Sequence, residues 1–421
     1  MENMENSPIP TQGKKCKDRW AHYLSLVTEY GIYLYIFLLL FDKGEGLRTI
    51  GLYGALAAWL ILTLFTKRIT ISIDIITCFF FVFIASAILS AFFSIEPMYS
   101  LSALMNDALP ATAAFLILST YFNNTTTLRL SKVICFSGFI ILIFGLHSFL
   151  SDKGHLYTSR NIFLSVDKNE YGFFVGLFLP FFIMFFFKSN KGWKKRLWGL
   201  SSIWGISGTI FSASRAAICN IFAALGIWAV FLLKRYHLKK ALIATIIIVL
   251  FIIVSFNFWP KLIKRQIVSM PEEMWTLHWR TYLFWEPALE ALKKRPLLGW
   301  GYGKKIYRDQ RPFENGKKPD WDLKGGLHST FITILFHQGI FGLLSYLFLL
   351  FSTSFILIKI MRGETDENKF LALALLSVIV GSFFVNSFLL SVPFRRIAPI
   401  LGMSSALFKN RSSFLKDSMP I

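Results

Sequence analysis

The stretch FSASRAAICN, residues 211–220, sets Arg215 inside an otherwise uncharged apolar run that extends over 197–233. Arg160 lies in SDKGHLYTSRNIFLSVDKNE (151–170), and Arg280 in HWRTYLFWEPALEALKKRPLLGWGYG (278–303). Arg395 and Arg396 stand where the last apolar run begins, and His328 where GGLHSTFITILFHQGIFGLLSY (325–346) returns to apolar sequence. A guanidinium is a planar fork that keeps its charge and binds phosphate oxygens in pairs, while a neutral imidazole takes up a proton near neutral pH. Brought together, such groups could hold a phosphorylated ligand and receive one proton. Each also has a bland reading. Arg215, Arg280, Arg395 and Arg396 could be anchors that snorkel to lipid phosphate, Arg160 a solvated loop residue, and His328 a cap on a helix start.

The elements that would position these residues are set by composition. The chain has 421 residues, is 54% hydrophobic and contains 45 phenylalanines; its mean hydropathy is +0.54. That places it outside soluble domains and in the membrane class. The net charge of +21 does not point to nucleic acid, because the basic residues sit between apolar spans, where lipid head groups and the positive-inside rule account for them. The four cysteines make no disulfide framework: Cys16 is in the polar N-terminal tail, and Cys78, Cys135 and Cys219 are in apolar spans. From the polar, basic first residues no cleavable signal peptide is expected.

About twelve spans are expected, near 22–41, 47–65, 73–93, 103–122, 132–150, 171–187, 197–213, 216–233, 241–259, 338–359, 369–389 and 395–408. Basic clusters at 14–19, 67–68, 129–132, 188–196, 234–240, 359–362 and 409–411 alternate with the other connections, so these segments and both termini are read as cytoplasmic. The opposite, periplasmic side then holds short loops at 42–46, 94–102, 151–170 and 390–394, and one long loop, 260–328. The expected organisation is all-α: an N-terminal bundle of about nine helices over 1–259, a large periplasmic loop with amphipathic helices over 260–337, and C-terminal membrane helices over 338–421.

On this plan Arg215 finds a place. The run 197–233 would make a helix of about 55 Å, too long for one crossing, and splitting it at 212–215 gives two spans joined by a tight outward turn. In the long loop, Leu283, Phe284, Pro287, Ala288, Ala291 and Leu292 recur at three- and four-residue spacing. They predict an amphipathic helix from about Arg280 to Lys294, lying on the membrane surface. Several arginines and one histidine thus come to a single rim, close to lipid.

These segments, in this order, resemble the O-antigen ligase and polymerase superfamily of bacterial envelopes. The matching pieces are SRNIFLSVDKNEYG, SASRAA within a hairpin, WRTYLFWEPALEALKKRPLLGWGYG, and a histidine followed by Gly339 and Gly342 in GLHSTFITILFHQGIFGLLSY. The resemblance implies a GT-C-like glycosyltransferase of the inner membrane that moves a glycan from undecaprenyl diphosphate to a hydroxyl, which in ligases belongs to the lipid A core. It places the superfamily's arginines on Arg160, Arg215 and Arg280, its catalytic histidine on His328, and a further arginine on Arg396. It implies that Arg215 and Arg280 meet the diphosphate, that Arg160 and Arg396 help hold it, and that His328 serves as base or orients the acceptor. The transfer it implies is inverting, with no metal and no cofactor.

Other features are set aside. His337 falls on the opposite helix face from His328 and is expected to be structural. GWGYG at 299–303 reads as a turn, not a dinucleotide loop. Asp320 and Asp322 in PDWDLK resemble a metal-binding pair that a lipid-linked donor does not require. Two alternatives stay open: a polymerase, with a second lipid-linked repeat as acceptor, and a flippase for a lipid-linked sugar. A transporter is expected to show ionisable groups or broken helices at mid-membrane, and neither is evident in the sequence. The single late loop and the hairpin arginine favour a ligase.

Overall fold

The computed structural model describes residues 12–39, 41, 44–66, 73–151, 168–211, 214–235, 281–303, 305–306, 327, 329–363, 366–388 and 393–417. They form α1 (Gln12–Leu38), α2 (Glu45–Thr66), α3 (Ile75–Phe92), α4 (Pro97–Tyr121), α5 (Asn124–Ser151), α6 (Lys168–Lys188), α7 (Trp193–Phe211) and α8 (Arg215–Arg235). A π-helical turn (Thr281–Trp285), α9 (Glu286–Lys294), α10 (Thr330–Gly363), α11 (Asp366–Phe388) and α12 (Pro393–Asp417) follow. Among the described residues there is no β-strand. Seven of the helices are long and apolar enough to cross a membrane, so the chain is a polytopic, membrane-embedded helical protein. Every expected span except 241–259, which lies outside the described residues, falls on a helix. The run 197–233 divides between Phe211 and Arg215, as its excess length requires.

Local chemistry starts the helices. Asp74 caps α3 by accepting from Thr77 N at 2.7 Å, and Asn123 and Thr126 cap α5 reciprocally, at 2.9 and 2.8 Å. Proline occupies the first turn of α4, α9 and α12, where its missing N–H removes nothing. Packing is aromatic and close. Phe80 stacks on Phe115 with centroids 4.1 Å apart, and Phe83 on Phe394 at 4.8 Å, joining α3 to α4 and α12. At the opposite end from Arg215, Arg129 pairs with Glu29 at 3.2 Å and Lys188 pairs with Glu367.

Small residues bring α6, α8 and α11 together. Gly172 packs directly on Ala217 of α8, and Asn220 is wedged between Gly176 of α6 and Gly381 of α11. Such contacts hold helices together in lipid, where burial of apolar surface offers no drive. A Cβ at Gly172 would overlap that of Ala217. Gly172→Leu is therefore expected to push α8 off α6 and lower the apparent Tm in detergent by several degrees, about 1–3 kcal/mol of overpacking. An unchanged melting curve would contradict this packing.

Helix α10 is broken. Gly339 has φ +68° and ψ −166°, and divides a first segment, 330–338, from the long remainder. The sequence reading expected no broken helix at mid-membrane, and position 339 falls at the start of the expected span 338–359. The break does not lie at the middle of the bundle: Gln338 accepts from Ser86 Oγ at 3.1 Å, and Ser90 Oγ bonds the His337 carbonyl, both from the last two turns of α3.

Candidate functional site at the arginine end of the bundle

Helix α6 is the meeting point. Its second turn carries Gly172, on which Ala217 of α8 packs, two residues past Arg215 at the head of that helix. The next two residues, Phe173 and Phe174, face α12: the Arg396 guanidinium carbon lies 5.1 and 5.2 Å from their ring centroids. Two arginine-bearing helix starts thus abut the same turn of α6. A cation in a first turn opposes the positive end of the helix dipole, so neither Arg215 nor Arg396 is there to stabilise its helix. A helix start and a guanidinium both favour an anion.

Arg395 turns the other way. Its Nε lies 3.1 Å from Asp107 Oδ1 and its Nη1 3.6 Å from Glu45; its Nη2 donates to the Asn106 carbonyl at 2.5 Å. Of the two adjacent arginines, this one is a structural anchor. Asp107 is ten residues, about 15 Å, along α4 from Pro97. Yet it is level with the first residue of α2 and the first turn of α12. The first turns of α4 therefore project beyond its neighbours. Asp107 was missed in the sequence, although an acid within an apolar run is itself a signal.

The projection of α4 is a post for the long-loop segment 281–306. Tyr302 N donates to Ser100 Oγ at 2.5 Å, Tyr302 OH to Asp107 Oδ2 at 3.0 Å, and Lys305 pairs with Glu96 at 3.0 Å. Burial first, and Asp107 second, push the Tyr302 phenol well above its ordinary pKa, so it stays a donor. Gly301, at φ +106°, passes so close to Ser94 that a Cβ would overlap it. The GWGYG segment is thus the turn expected. It docks on the break in α10: Trp300 N donates to Phe336 O at 3.0 Å, Gly301 N to His337 O at 3.0 Å, Ile340 N to Pro296 O at 2.8 Å and Phe341 N to Leu297 O at 3.3 Å. His337 is buried, with Nδ1 2.6 Å from Gly301 O, which is the structural role expected of it.

Helix α9 is amphipathic as expected, but its apolar face does not meet lipid. Phe284, Ala288 and Ala291 pack with Trp300, Ile306, Leu327 and Phe336 in a small core of their own. The physical reason is that the segment after α9 folds back and covers that face, with Trp300 Nε1 bonded to the Ala291 carbonyl at 3.0 Å. Trp285 Nε1 donates to the Leu327 carbonyl at 2.9 Å, so the turn that follows position 280 is tied to the residue that precedes position 328.

Arg160, Arg280 and His328 themselves lie outside the described residues, as do Asp320 and Asp322; of Arg215 only the backbone is described. Arg396 is described, against α6.

Residues 200–347 match the family model described as O-antigen ligase. That interval runs from α7 through the break in α10 and contains positions 215, 280 and 328; positions 160 and 396 lie beyond it. The match supports the resemblance read from the sequence and a place in the O-antigen ligase family. No curated protein matches the chain.

Proposed function

We propose that this chain is an O-antigen ligase: it transfers O-polysaccharide from undecaprenyl diphosphate to a sugar hydroxyl of lipid A core, at the periplasmic face of the inner membrane. The observation that carries the reading is the match of residues 200–347, because it takes in three of the residues the chemistry needs. Two further facts support it. The starts of α8 and α12 abut one turn of α6, and Trp285, five residues past position 280, is hydrogen-bonded to Leu327, which precedes position 328.

In this reading the acceptor oxygen bonds to the anomeric carbon as the bond from that carbon to the diphosphate breaks, with inversion. The electron pair leaves on the diphosphate, already a weak base, so fixed positive charge is needed more than an acid. Arg215 and Arg280 meet that charge, Arg160 and Arg396 hold the diphosphate, and His328 takes the acceptor proton. None of these steps calls for a metal. In this reading the 260–337 unit ends just before the break at Gly339.

A deletion strain separates the related activities. Long lipid-linked chains with an uncapped lipid A core are expected for loss of a ligase. Cores capped by a single repeat would instead assign the chain to polymerases, and loss of all outward lipid-linked glycan would assign it to flippases.

A further inference from the structure

We propose that Asp107 is a positioning residue for Arg396, acting through Arg395 and linked by Tyr302 to the long-loop segment. The proposal rests on the reading that Arg396 binds the donor diphosphate. Arg395 and Arg396 leave α12 about 100° apart. The first is pinned to Asp107, Glu45 and the Asn106 carbonyl, and the second is thereby directed at Phe173 and Phe174 of α6. Of the two acids, Asp107 is the more enclosed, with its side chain 22% exposed against 70% for Glu45. An exposed pair is screened and holds little, so Asp107 fixes the geometry.

The carboxylate also answers an electrostatic difficulty. Two adjacent cations repel each other and the positive end of α12. Asp107 neutralises one of them where it stands, which eases that repulsion. Its second oxygen accepts from Tyr302, in the segment that runs from Thr281 to Ile306. One carboxylate thus sets the bundle arginine in register with the loop that continues toward positions 280 and 328.

The test is a double-mutant cycle on the purified full chain in detergent, with farnesyl diphosphate as the probe and farnesol as the control. Wild type is expected to prefer the diphosphate, and Arg396→Ala to weaken it about tenfold, as loss of a charge-assisted contact does. Asp107→Asn is expected to weaken it about fivefold alone, and less than about twofold in the Arg396→Ala background, because the two act as one unit. Asp107→Glu should recover part of the loss. Equal losses from Asp107→Asn in both backgrounds, or none in either, would overturn the positioning role. If wild type does not distinguish diphosphate from farnesol, or Arg396→Ala binds normally, it is the underlying reading of Arg396 that fails. Should Asp107→Asn not yield folded protein, Tyr302→Phe replaces it in the cycle, with about a threefold loss that vanishes beside Arg396→Ala; a loss that persists there overturns the proposal equally.

Discussion

Arg215→Ala is expected to lower glycan transfer by the purified protein at least ~100-fold, the effect of removing a fixed group that meets transition-state charge. The substitution is mild for the fold. Arg215 opens α8, where a cation opposes the helix dipole, and alanine is the better helix former. The register of α8 is held elsewhere, by Ala217 on Gly172 and by Asn220 between Gly176 and Gly381. Melting temperature should therefore stay within a few degrees of wild type while turnover collapses. Arg215→Lys should recover only part of the rate, since an ammonium lacks the fork that takes two phosphate oxygens. His328→Ala in the same transfer assay tests the base: near-normal turnover there, beside a dead Arg215→Ala, would move the proton acceptor to another residue. Activity within about threefold of wild type for Arg215→Ala would remove the guanidinium from the reaction altogether.

What the sequence revealed, and what it concealed, follows from the range of each signal. The division of 197–233 between Phe211 and Arg215 was legible because its cause is local: the run is too long for one crossing and carries one charge. The break in α10 was not, because hydropathy continues through 330–363 and the groups that satisfy the broken backbone, at 296–301, come from the other side of the 304–329 stretch. The glycines at 339 and 342 were visible as part of a motif, but a glycine does not announce which carbonyl will approach it. For α9 the period exposed an apolar face and could not say what covers it; Trp300, Leu327 and Phe336 do. Asp107 stood in plain view within an apolar run, and its meaning depended on Arg395, which α12 delivers from the far end of the chain.

The same contrast separates the two arginines of α12. By sequence they are equivalent rim residues. By structure one is consumed by two acids and a carbonyl, and the other lies against two aromatic faces beside the helix that also receives the start of α8. Residue type is the same at both positions, and helix register sets what each one meets.

Gly339→Ala is expected to destabilise the protein by about 2–6 kcal/mol, the worth of the four backbone bonds that dock 296–301 on α10. The mutant has two ways to respond, and both are costly. If the break is kept, alanine must adopt φ +68° and ψ −166°, a region that essentially only glycine enters, at about 1–3 kcal/mol. Its Cβ would also overlap the Leu297 carbonyl. If instead α10 straightens, which alanine favours, residues 336–341 withdraw their carbonyls and amides from 296–301. Tyr302 would then lose its hold on Asp107, and the small core around Trp300 would open. Tryptic cleavage at Lys294 and Lys305 should then become rapid, and in either case the apparent Tm should fall well below wild type. Gly226→Ala is the control: it lies within α8, outside the left-handed region, and a Cβ there meets nothing within 4 Å, so its effect should be small. Equal protease resistance and equal Tm for Gly339→Ala and wild type would mean that the break does not hold the loop segment in place.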